Sequence, residues 1–178
     1  AKLFDYRLTT KEPPDVRGIM VPDRERGVAT YLVPDDLPSA TTPSIWLFDE
    51  LSSADRHLLV AVYEIVLDRR CGSYRVPDAC WVAAAGNDPG DLAIAFNMGR
   101  ALNNRFVHIW VEPNADDWVR WAVGSGIDPT VIAFIRSRPD YLYGGPVSDE
   151  SDENVVIPTP RGWERVSRVL AASPSKDV

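Results

Sequence analysis

The chain has 178 residues, 45% of them hydrophobic and 25% charged, which is enough apolar material for a globular core. Its net charge of −7, from 19 basic against 26 acidic residues, argues against nucleic-acid or membrane-surface binding driven by bulk electrostatics. Cys71 and Cys80 form neither a disulfide framework nor a zinc spacing, and only His57 and His108 stand beside them. No apolar run approaches the roughly 18 residues that cross a bilayer, and AKLFDYRLTT lacks the layout of a signal peptide. A cytoplasmic protein with reduced thiols is expected.

From the amino terminus, Lys2 to Leu8 alternate apolar and polar residues and predict a strand. The proline-rich EPPDVRG leads into a short helical turn at Asp15 to Gly18. Gly27 to Pro34, GVATYLVP, reads as one arm of a hairpin, and proline and aspartate then mark a loop through Pro43. SIWLF, Ser44 to Phe48, is a continuous apolar run of the kind that a doubly buried parallel strand needs, and it stops at Asp49 and Glu50. Ser52, Ser53 and Asp55 offer N-caps for a helix whose apolar positions are Leu58, Leu59, Val62, Ile65 and Val66. That helix ends near Arg69 and Arg70, with Gly72 beyond.

Cys71 to Cys80 suggests a second small hairpin, and Trp81 to Ala85 a second buried strand ending at Gly86 and Asn87. A helix is expected over Ala95 to Asn104 and a third apolar strand over Phe106 to Val111. From Asp116 the period becomes helical, through Trp118, Trp121 and Ala122 and then Val131, Ile132, Phe134 and Ile135. An acidic loop, GGPVSDESDEN, precedes a last helix, Arg161 to Ala171, and the SPSKDV tail reads as disordered. Strand–helix–strand–helix–strand followed by helices alone predicts an α/β core, residues 1–113, and a small helical domain, residues 114–178.

Carboxyl ends of parallel strands are where α/β sheets bind ligands. Asp49 at such an end can hold a hydrated Mg²⁺, and Glu50 beside it can polarise a water. Strands also end in acids simply because the chain re-enters solvent, so the pair alone leaves both readings open. Asn87 can orient a water or a phosphate oxygen, or merely turn the chain after glycine. Arg105 and Arg161 are either phosphate ligands or ordinary surface cations.

Taken together, the order of segments resembles the AAA+ ATPases, and within them the MoxR-like branch. SIWLFDELSSA is similar to the Walker B strand and its following helix, and RRCGSYRVPDACWVAAAGN to the hairpin and strand of sensor 1. ALNNRFVHIWVEP resembles the arginine-finger segment and TPRGWERVSRVL the sensor 2 helix. FDYRLTTKEPPDVRGIMVPD is similar to the stretch after the first helix of these proteins.

The resemblance implies an incomplete three-layer core with a parallel sheet, then a helical lid. It implies ATP and Mg²⁺ as cofactors, with Asp49 supporting the metal through water and Glu50 as catalytic base. It assigns Asn87 to sensor 1, Arg105 to a finger acting across a ring interface, and Arg161 to sensor 2. It further implies a ring, a hexamer, that remodels a client in the manner of a chaperone. Metal-cofactor enzymes and von Willebrand factor A-domain proteins are the client classes, and the two hairpins are contact points.

The family's phosphate-binding loop is absent, because none of Lys2, Lys11 and Lys176 follows a glycine-rich turn. In the family that loop follows a strand lying between the sensor 1 strand and the one expected at Phe106 to Val111. The chain is therefore expected to belong to a longer protein or to be a decayed gene product, with little hydrolysis alone. The alternative is a non-catalytic interaction module derived from such an ATPase.

Overall fold

A computed structural model describes residues 1–39, 41–87, 102, 104–144 and 157–173. They form two compact units, Ala1–Val107 and His108–Val178. The first unit is built on a parallel three-stranded sheet: β1 (Lys2–Arg7), β4 (Ser44–Asp49) and β7 (Cys80–Ala84), in the order β1–β4–β7. The register is in step, with Lys2 opposite Ser44, Arg7 opposite Asp49, and Ser44 opposite Cys80.

Between β1 and β4 the chain makes α1 (Pro13–Arg17) and an antiparallel hairpin, β2 (Ile19–Asp23) and β3 (Val28–Leu32). Two prolines open α1, where their missing N–H groups go unused anyway, and Glu12 and Asp15 close a reciprocal capping box. Gly18, at φ 86°, ends this turn, and a Cβ there would lie 2.2 Å from the Leu32 carbonyl oxygen. Only glycine lets the hairpin fold back so closely.

One face of the sheet carries the core. Trp46 and Phe48 on β4 and Tyr6 on β1 are buried with Leu58, Leu59, Val62 and Ile65 of α2 (Arg56–Asp68). Of the three cap candidates, Asp55 takes the role: its side chain accepts from the His57 N–H at 2.8 Å. Trp46 meets Tyr6 and Tyr74 edge-on and Phe48 at a tilt, with ring centroids 4.9–5.9 Å apart. After α2, Arg69 adopts left-handed backbone and starts a short ribbon, β5 (Arg70–Cys71) with β6 (Tyr74–Arg75). Its guanidinium donates to the carbonyls of Pro77 and Cys80, both at 2.7 Å, and so fixes the entry to β7.

The opposite face is exposed at its first row of residues. Leu3, Ile45 and Trp81 lie level across the three strands, 57%, 39% and 78% exposed.

The expected third strand, Phe106 to Val111, is not formed. Val107, Ile109, Trp110 and Val111 are exposed, and no described strand lies hydrogen-bonded beside them. A strand exists only through its ladder, so apolar composition without a neighbour leaves the segment irregular. The first strand also stops at Arg7 rather than Leu8, which begins a 3-10 turn. The expected helix over Ala95 to Asn104 lies almost wholly outside the described residues, as do most of the acidic loop and of the tail.

The second unit packs α3 (Ala115–Gly124), α4 (Pro129–Ser137) and α5 (Pro160–Ala172) around Trp118, Ala122, Val131 and Ile135. Each helix opens on a side-chain cap: Asn114 accepts from Asp117, Asp128 from Thr130, and Thr159 from Gly162. Trp163 of α5 donates its indole N–H to the Tyr141 carbonyl at 2.9 Å.

Burial in the first unit raises the pKa of two phenols above the usual tyrosine range. For Tyr6 burial acts first and the neighbouring Asp36 second, and for Tyr74 burial dominates. A raised pKa keeps the folded phenol protonated where an unfolded tyrosine, with pKa about 10, has ionised. The folded state then binds more protons, so stability is fully present below about pH 10 and falls as pH rises above it. Alkaline titration is expected to ionise Tyr6 and Tyr74 only as ellipticity collapses. Completion of all tyrosinate absorbance before any loss of ellipticity would remove both phenols from the core.

Candidate functional site

Three functional candidates of the first unit, Asp49, Glu50 and Asn87, collect where its parallel strands end. Asp49 is the last residue of β4, and Glu50 follows at φ 57°, ψ 37°. Left-handed backbone at a residue bearing a side chain costs roughly 1–2 kcal/mol. Here it turns the chain out of the sheet, and the next amide, Leu51 N–H, donates to the Ala85 carbonyl at 2.9 Å. The turn thus continues the β4–β7 ladder by another route.

Asn87 arrives at the neighbouring strand end. Its backbone N–H donates to the Ser52 hydroxyl at 3.0 Å, and Ser52 is itself buried. A Cβ on Gly86 would come within 2.9 Å of that hydroxyl oxygen and 3.1 Å of the Ser52 nitrogen, so glycine permits the approach. The exposed Asn87 and the half-buried Asp49 and Glu50 are thereby pinned to adjacent strand ends.

Sequence reasoning missed three members of this group. Arg7, level with Asp49 at the end of β1, places Nε 3.4 Å from Asp49 Oδ2 and 3.7 Å from Glu50 Oε1. Thr9 donates its hydroxyl to Glu50 Oε2. Asp49 Oδ1 accepts the Glu50 N–H at 3.0 Å. Each of the four carboxylate oxygens therefore has a partner. Ser52 was a third omission, since its place in the sequence suggests a helix cap rather than a tether for Asn87. Only the parallel register of β1 with β4 brings Arg7 level with Asp49, and no local pattern signals it.

The other two arginines stand elsewhere in the chain. Arg105 is exposed, in the turn whose backbone N–H donates to Leu102 at 3.0 Å. Arg161 is exposed in the first turn of α5, within the second unit. A cation there opposes the helix macrodipole, so helix stability does not explain it.

The donor set fits a hydrated divalent cation. Asp49 and Glu50 offer hard carboxylate oxygens open to solvent, with side chains 29% and 41% exposed. Among the described residues no group of three or more His, Cys, Asp or Glu could cage a metal. Mg²⁺ commonly uses one or two carboxylates, keeps several waters, and takes its remaining ligands from phosphate.

Among the described residues no helix is long and apolar enough to cross a membrane. No protein-family model and no curated protein matches the sequence. The fold is similar to solved structures of NtrX from Brucella abortus. The ADP complex has a TM-score of 0.52 at 15% identity, covering 98% of this chain and 40% of that one. The ATP complex has a TM-score of 0.51, again at 15% identity with 98% and 40% covered. The chain thus spans less than half the length of these neighbours, and the likeness concerns the fold. That fold is α/β, a parallel three-stranded sheet with helices and a small helical part.

Proposed function

We propose that this chain is part of a MoxR-like AAA+ ATPase that binds and hydrolyses Mg-ATP. The observation that carries the reading is the meeting of Asp49, Glu50 and Asn87 on adjacent parallel strand ends, tied together through Ser52. Nucleotide-bound neighbours of the same fold lend support.

Asp49 would hold the water shell of the metal, whose charge offsets that of the phosphates. Glu50 would accept the proton of an attacking water onto its carboxylate. Asn87, a neutral amide, would orient that water without adding charge. Arg105 would act in trans across a ring interface, and Arg161 from the helical lid. The phosphate-binding loop would be supplied on a further strand beside β7. The ring, a hexamer, would remodel a client in the cytoplasm, with a von Willebrand factor A-domain protein as the partner class.

The test is a titration of a fluorescent ATP analogue with Mg²⁺ into the protein spanning the whole reading frame. Saturable binding is expected, with hydrolysis that rises with assembly. Arg105→Ala should keep the binding and lose most of the assembly-dependent hydrolysis. Equal loss in isolated monomers would count against a trans finger. No binding of the analogue would favour a non-catalytic interaction module.

A further inference from the structure

We propose that Arg7 is a built-in counter-ion of the acidic pair, competing with a divalent cation for Asp49 and tethering Glu50 until that cation binds. The inference rests on the reading of Asp49 as the cation's carboxylate. Its ground is the complete engagement of the pair. Asp49 Oδ1 takes the Glu50 N–H, Glu50 Oε2 takes the Thr9 hydroxyl, and the remaining two oxygens both face Arg7 Nε. Of these partners only Arg7 carries charge, and it alone bridges both carboxylates.

A guanidinium 3.4 Å from Asp49 Oδ2 stands where a cation's positive charge would be felt most. The two cannot share that oxygen without repulsion. With Arg7 in place, Glu50 is also an occupied acceptor, and a general base needs a lone pair free for water. The side chain of Arg7 is 58% exposed, so it can leave the pair for solvent without disturbing the core. Binding of a cation at Asp49 and release of Glu50 from Arg7 then become one event. The competition is modest by nature, because solvent-exposed ion pairs are weak.

Mn²⁺ alone, followed through the spin-resonance signal of the free ion, tests this on the full chain. Arg7→Ala and Arg7→Gln are expected to tighten Mn²⁺ binding about two- to fivefold. Arg7→Lys, which keeps the charge, should stay near the parent. Arg24→Ala, the same change of net charge in the β2–β3 turn, should also leave affinity near the parent. Asp49→Asn should weaken it.

If Asp49→Asn weakens binding but the Arg7 variants match the parent, the counter-ion idea fails and the role of Asp49 stands. If Asp49→Asn changes nothing, the reading beneath it fails as well. Equal tightening by Arg24→Ala would reduce the effect to net charge and overturn the inference. An unchanged signal at millimolar Mn²⁺ with parent and variants alike would overturn both.

Discussion

Trp46→Ala is expected to lower the stability of the first unit by about 3–5 kcal/mol, as large-to-small changes of a buried aromatic do. Trp46 is fully buried in the central strand, in ring contact with Tyr6, Phe48 and Tyr74. Its removal would empty the space between the sheet and α2. A whole domain is stable by only about 5–15 kcal/mol, so this one change approaches the total. Trp46→Phe should cost less, because it keeps a ring and removes an indole N–H that has no partner. Hydrogen exchange of the β4 amides under urea reads both. A loss below about 1 kcal/mol for the alanine variant would mean that the indole does not fill the core.

Glu50→Gln in the protein spanning the whole reading frame is expected to lower ATP turnover about 10²- to 10⁴-fold, the range general base catalysis commonly supplies. Nucleotide binding should persist. The substitution keeps size and shape, and the amide oxygen can still accept from Thr9. What it loses is the capacity to take a proton. Single-turnover hydrolysis beside equilibrium binding separates the two effects. Turnover at the parent rate would remove Glu50 from the chemistry, whatever its geometry.

Much of this arrangement was legible in the sequence because it rests on local pattern. SIWLF followed by Asp49 and Glu50 predicted a parallel strand with acids at its carboxyl end, and the fold places both there. The spacing from Leu58 to Ile65 predicted α2, and Asp55 was among its named caps.

What escaped the sequence depends on residues far apart in the chain. Arg7 and Asp49 are brought level by a register that no periodicity encodes. The partner arm of the first hairpin, Ile19–Asp23, contains Pro22 and lacks the signature that marked Val28–Leu32. Phe106 to Val111 has the composition of a buried strand, and composition cannot supply the neighbour that makes one.

The exposed row that runs from Leu3 through Ile45 to Trp81 has a consequence for behaviour in solution. Among the described strands β1 and β7 are the edges, and the unpaired N–H and C=O groups of an edge strand form a template for any chain that can extend alongside it. Copies of the protein meeting there would bury indole and leucine surface that water now covers. Apparent melting temperature would then depend on protein concentration, since association stabilises whichever state it engages. Solubility rather than foldedness would set the working range, and a charged residue in place of Trp81 would widen it.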